Sequence, residues 1–211
     1  GKNGAGKTTT LKACMGIITI TEGDILLDGI SVVKEPIVCK RKMAYVPDTP
    51  RLEEYMTGMQ YLNFVCDIYQ ISAKERKQNI ERLIHAFQME PHISGLISSY
   101  SHGMKQKVAL IAAFSHNPKL LVLDEPFVGL DPEAFIALKE QMKMLCRKGS
   151  SILFSSHILD VVEKLCNIIS IIKDGRLLYS GTTEELIGVE GLEEAFMELN
   201  SNESFDPSIE K

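Results

Sequence analysis

Residues Gly1-Lys2-Asn3-Gly4-Ala5-Gly6-Lys7-Thr8 carry the spacing G-x-x-x-x-G-K-T. Glycines so placed let backbone N–H groups close around phosphate oxygens. The lysine ammonium then reaches the β- and γ-phosphates, and the threonine hydroxyl is a ligand for Mg²⁺. Thr9 continues the run into a helix predicted over residues 7–15 and stopped by Gly16, whose N-terminal amides favour an anion. A glycine-rich turn followed by a chance Lys-Thr is the competing explanation, and the context that decides is a strand before and a helix after. The strand is expected ahead of Gly1. The sequence is therefore expected to start inside a nucleotide-binding domain whose leading strands are missing, with Gly1, Lys2 and Asn3 frayed.

A second group lies at Leu120-Leu121-Val122-Leu123-Asp124-Glu125-Pro126. Four apolar residues read as a buried strand, and the carboxylates emerge at its C-terminal end, where α/β sheets bind ligands. Asp124 suits Mg²⁺, an ion that keeps most of its waters, and Glu125 is placed to polarise an attacking water. An ordinary acidic strand-end loop explains the same residues when they are taken alone. A third group, Tyr100-Ser101-His102-Gly103-Met104-Lys105-Gln106-Lys107, precedes a helix predicted over residues 104–116. Ser101 and the amides beside it form an anion site at a helix N-terminus, although Ser-x-Gly is also a common cap.

The elements that must hold these groups alternate between strand and helix. An antiparallel hairpin turns at Asp28-Gly29, and a short strand over residues 43–46 ends at Pro47. Thr57 and Ser72 are N-caps for helices over residues 58–69 and 73–89, the second with Ile80, Leu83, Ile84 and Phe87 on one face. After Pro118 come a strand at 119–123, a helix from Pro132, a strand at 151–154 and a helix over 157–165. A strand at 168–172 turns at Asp174-Gly175 into another at 176–179, and Thr182 caps a short helix. An α/β core over residues 1–47 and 119–190 is thus interrupted by a helical lobe over 48–118, with a C-terminal helix and acidic tail at 191–211.

These motifs together resemble the ATP-binding subunit of an ABC transporter over nearly the whole chain: GKNGAGKT, YSHGMKQK, LLVLDEP, VGLD and SSH. The resemblance implies a P-loop NTPase core with a mainly parallel sheet, interrupted by an all-helical subdomain. It implies ATP and Mg²⁺ as cofactors, with Thr8 and Asp124 on the metal. Ser101, His102, Gly103 and Met104 match the signature that contacts ATP held by the opposite subunit. Asp131 matches the D-loop, His157 the switch histidine near the γ-phosphate, and Asp48 the position where the family usually has Gln. His102 and Met104 depart from the usual Gly and Gln, and the aromatic that stacks on adenine belongs ahead of Gly1. The variants YVPDTP and YSHGMKQK look most like exporter-type subunits, the Ecs and antibiotic- or peptide-export group.

The implied partners are a second ATP-binding subunit and a polytopic permease at the cytoplasmic face of the cell membrane. Met56 and Met59 on the helical lobe suit either that permease contact or core packing. The runner-up is a soluble ABC-type ATPase acting on ribosomes or DNA. The formal charge of −5 argues against nucleic acid, whose binders carry a basic stripe. The five cysteines are odd in number and lack C-x-x-C spacing, so they are expected as buried free thiols of a reducing compartment. His85, His92 and His116 have no companions at metal-ligand spacing, and Lys74 to Lys77 read as a solvated helix face.

Overall fold

Turn and cap residues set most element boundaries in the computed structural model, which describes residues 1–187, 192–194 and 197. Helix α1 (Lys7–Cys14) follows the phosphate loop. Strands β1 (Leu26–Leu27) and β2 (Ile30–Ser31) pair antiparallel around Asp28 and Gly29, both at positive φ, as a type I′ turn requires. A five-residue helix, α2 (Pro36–Lys40), adds to the expected elements; it is too short to carry a periodic apolar pattern.

Strand β3 (Met43–Val46) runs parallel to β4 (Leu120–Asp124), with Tyr45 opposite Val122 and Val46 opposite Leu123. Strand β5 (Ser151–Ser155) lies on the other side of β4. Parallel neighbours need a long crossover, and the one between β3 and β4 contains α3 (Gly58–Ile68), α4 (Ala73–Ala86) and α5 (His102–Ser115). Thr57 caps α3 through a reciprocal capping box with Gln60, and Ser72 caps α4. The predicted stripe of Ile80, Leu83, Ile84 and Phe87 is buried, where α4 packs on α5. Helix α4 ends earlier than predicted, because Phe87 closes it and Gln88 turns to φ +54.

The chain divides into two compact units, Leu11–Phe154 and Gly1–Thr10 with Ser155–Lys211. In the first, Leu11, Met15, Val32, Cys39, Met43 and Val122 form one apolar cluster, with Tyr45 packed against it. Helix α6 (Pro132–Arg147) also belongs to it. In the second, β6 (Ile168–Lys173) and β7 (Arg176–Thr182) pair antiparallel around Asp174 and Gly175, and Ile169, Ile171 and Leu192 form the core. Helix α7 (Leu159–Leu165) starts later than predicted, leaving His157 in the preceding bend. Helix α8 (Thr183–Ile187) follows the cap Thr182, whose hydroxyl accepts from the Glu185 amide at 3.2 Å while the Glu185 carboxylate accepts from the Thr182 amide at 3.0 Å. The helix and tail expected over residues 191–211 fall outside the described residues, apart from Leu192, Glu193, Glu194 and Met197.

All five cysteines are free thiols, but only Cys39 and Cys66 are buried, and Cys146 is exposed. The histidines outside the motifs have structural partners. His85 pairs with Glu90 at 2.7 Å. The carbonyl of His92 accepts from the Tyr100 hydroxyl at 2.7 Å. His116 stacks on Tyr69 with ring centroids 3.6 Å apart.

Candidate functional site

In the unit that contains residues 1–10, the phosphate loop is built by backbone geometry. Gly4 and Gly6 take φ +80 and +107, conformations that place successive N–H groups on the concave side of a nest and that L side chains resist. The Ala5 amide donates to the Lys2 carbonyl at 3.2 Å, and the Gly175 amide of the β6–β7 turn donates to the Ala5 carbonyl at 2.9 Å. A Cβ on Gly1 would collide with the carbonyl of Ile172 in β6. The predicted frayed start is thus replaced by a loop seated on the β6–β7 hairpin. The Lys7 ammonium arches back to donate to the Gly1 carbonyl at 2.6 Å. Thr8 and Thr9 lie exposed in the first turn of α1, which has no acidic residue, so the helix end keeps its positive field for an anion. In the same unit His157 is exposed, two residues beyond the end of β5 and next to the buried Ser156, whose hydroxyl accepts from the Ile158 amide at 3.0 Å.

In the unit spanning Leu11–Phe154, the carboxylates gather at the C-terminal end of the parallel strands. Asp124 ends β4 and is 1% exposed. Side chains alternate along a strand, so Asp124 shares a face with Val122, and Tyr45 lies on that same face opposite Val122. The Tyr45 hydroxyl is buried with no hydrogen-bond partner among the described residues. Burial, and then the charges of Asp124 and Asp48, push its pKa up to about 12. The type and spacing of this tyrosine give no chemical signal in the sequence. Asp48 lies two residues past β3 and Glu125 directly past β4, so the strand register brings the two loops to the same sheet end.

Glu125 takes φ +47, a left-handed conformation that costs a non-glycine residue about 1–2 kcal/mol and clusters at functional positions. The segment after it is fastened from both sides. The Val128 amide donates to the Glu125 carbonyl at 3.2 Å. The buried Phe127 ring packs on Phe135 of α6 at 4.8 Å and edge-on to Phe154 of β5 at 5.9 Å. Phe127 is another residue that sequence reasoning did not single out.

The signature residues open α5 two positions earlier than predicted. Ser101 is the N-cap and accepts from the Met104 amide at 3.3 Å, with His102, Gly103 and Met104 in the first turn. The approach to this turn is fixed by Tyr100, whose hydroxyl donates to the carbonyls of His92 and Gly95. Asp131 caps α6, accepting from the Ala134 amide at 2.8 Å. It also pairs with Lys107 of α5 at 2.6 Å. The Lys107 ammonium, helped by the Ala134 amide, holds the Asp131 carboxyl below its ordinary value.

Among the described residues no group of three or more His, Cys, Asp or Glu side chains forms a metal cage. Mg²⁺ does not ask for one: it takes one or two carboxylates, keeps several waters and uses phosphate oxygens. The negative field that Asp124 and Asp48 impose on Tyr45 fits such a cation. In its own unit, the glycine nest fits phosphate oxygens.

A backbone nest shaped for phosphate and an acidic pair closing a parallel strand each serve nucleoside triphosphate hydrolysis. They define a P-loop ATPase. Residues 1–128 match the family model described as ABC transporter. The chain is 35% identical over 198 residues to the ABC-type transporter ATP-binding protein EcsA of Bacillus subtilis (strain 168), covering 94% of this chain and 80% of EcsA. It is 34% identical over 187 residues to the ABC transporter ATP-binding protein NatA of the same organism, covering 88% of this chain and 76% of NatA. Among solved structures, one described as "Structure of ATP binding subunit of ABC transporter" superposes with a TM-score of 0.91 at 36% identity, covering 94% of this chain and 85% of that one. The chain belongs to the ABC transporter family, as an ATP-binding and ATP-hydrolysing subunit that powers transport. These relatives lend no support to the ribosome- or DNA-acting alternative. Subunits of this family generally pair with each other and with membrane permeases, and no helix among the described residues is long and apolar enough to cross a membrane.

Proposed function

We propose that this subunit works as a head-to-tail pair with a second ATP-binding subunit, driving a polytopic permease in the export direction from the cytoplasmic face of the cell membrane. Gly1, Lys2, Asn3, Gly4, Ala5, Gly6, Lys7, Thr8 and Thr9 hold the nucleotide. Ser101, His102, Gly103 and Met104 meet a nucleotide held by the other subunit. Thr8 and Asp124 would hold Mg²⁺, and Asp48 joins Glu125 and His157 as a catalytic residue. Bound Mg²⁺ supplies charge neutralisation at the β- and γ-phosphate oxygens.

Lys7 neutralises the same oxygens as charge develops on the leaving group. Glu125 accepts the proton of the attacking water as its oxygen bonds to the γ-phosphorus and the bond to the ADP oxygen breaks. His157 holds the γ-phosphate, and Asp131 couples the two ATP sites of the pair. The helical lobe over residues 48–118 faces the permease, and residues 1–47 with 119–190 form the ATPase core. Met56 and Met59, expected as candidates for the permease contact, are half-buried. The neighbouring Tyr55, 73% exposed, suits that contact better. Likeness to the linearmycin resistance ATP-binding protein LnrL of Bacillus subtilis (strain 168), 31% identical over 208 residues covering 93% of this chain and 67% of LnrL, supports the export direction.

The observation that carries the mechanism is the left-handed Glu125 directly after the buried Asp124. Glu125→Gln is expected to keep ATP affinity and lose on the order of 10²–10⁴-fold in turnover. Phosphate release by the variant at the wild-type rate would remove Glu125 from the role of base.

A further inference from the structure

We propose that Lys107 is a positioning residue that joins the signature turn to residues 129–131, so that the two move as one piece. The inference rests on the proposed function only for its kinetic consequence; the joint itself is a matter of geometry. Lys107 stands on α5 beyond the cap Ser101, and its side chain is only 13% exposed. An ammonium with so little water depends on its partner, and that partner is the Asp131 carboxylate at 2.6 Å. Both oxygens of Asp131 are engaged within its own chain. Oδ2 takes Lys107, and Oδ1 takes the Ala134 amide that starts α6.

The backbone closes the same joint. A Cβ on Gly103 would lie 2.9 Å from the Gly129 carbonyl oxygen, so a side chain there would force the two segments apart. From the other side, the His102 ring lies over Gly129, with Cδ2 3.0 Å from where a Cβ would be. Residues 125–131 are already held by Phe127 and by the Val128 amide. A shift of the Ser101 turn is therefore carried through Gly129 and Asp131 to the loop that begins at Glu125. Lys107 is the polar tie in that path, and His102, an unusual residue for the signature, is its packing counterpart.

The test is a double-mutant cycle in the assembled transporter with Lys107→Met and Asp131→Asn. Met keeps the apolar stem of lysine, and Asn still caps α6, so each change removes the ion pair alone. Titration of a fluorescent ATP analogue should give affinities within about twofold of wild type, because the phosphate loop is untouched. Each single variant should lose about tenfold in kcat with KM unchanged, and the double variant should be no slower than either. Lys107→Arg should recover most of the rate. Amide hydrogen exchange over residues 126–131 should quicken in both single variants, while β6 and β7 stay unchanged. Additive losses, a fall in nucleotide affinity that accounts for the rate, or unchanged exchange at 126–131 would overturn the inference. A wild-type transporter that binds no analogue would instead count against the ATPase assignment, and the exchange measurement would still decide the joint.

Discussion

The phosphate loop and the signature joint approach an anion with different materials. The loop uses main-chain amides, and its glycines are there for the conformations they adopt: Gly4 has open space where a Cβ would project, but φ +80. The joint uses side chains and close packing, and Gly103 is there for what it lacks, since its missing Cβ would meet the Gly129 carbonyl. A backbone-built site is prepared by a short stretch of chain. A side-chain-built joint exists only when two distant segments arrive together, so it can pass on the position of one segment to the other.

The most severe break in this comparison is at the loop's lysine donor to the β- and γ-phosphates. Lys7→Ala should weaken ATP binding by on the order of 10–100-fold, the value of a charge-assisted contact to phosphate. An ATP titration with wild-type affinity would mean that the amides alone do the binding.

Gly103→Ala is the matching break in the joint. It should lower stability by about 1–3 kcal/mol through overpacking against Gly129, seen as a lower urea midpoint, and should slow hydrolysis with little change in ATP affinity. Gly4→Ala should do the reverse, disturbing nucleotide binding through its strained φ. Equal effects of the two substitutions on binding would erase the distinction between loop and joint.

The smallest effect is a dependence on pH. Burial lowers the pKa of His116 below 6.5, so the unfolded chain takes up the proton first. Its contribution to stability is full above pH 6.5 and declines as pH falls below that value. Asp131, held below 3.8 chiefly by Lys107, contributes fully above pH 3.8 and is lost as pH falls through its lower folded value. Urea midpoints measured across this range should show both declines in wild type. In Lys107→Met only the His116 decline should remain distinct, which would sharpen the assignment of the acid-sensitive part to the joint.

Much of the fold was legible because its signals are local. Asp28-Gly29 and Asp174-Gly175 both turn hairpins, and Thr57, Ser72 and Thr182 all cap helices. The errors sit where local signals mislead. Helix α5 starts at His102, two residues ahead of the expected start, because the glycine in its first turn obscures where the helix begins after the Ser101 cap. His157 stays in a bend, because α7 has no capping side chain to announce its beginning. Of the site, the loop and the Asp124-Glu125 pair are visible in residue type and spacing, whereas Tyr45, Lys107 and Phe127 look like ordinary core or surface residues until their neighbours are known.

The sequence by itself determined the phosphate nest, the acidic strand end and the family, because each depends on residues that are adjacent along the chain, and the nest on positive φ angles that glycine adopts readily. Only the tertiary structure decided that Asp131 answers to Lys107, that Asp124 and Asp48 share the surroundings of Tyr45, and that Gly103 must be bare. Those facts depend on strand register and helix packing, which bring together segments whose spacing in the chain carries no trace of the contact.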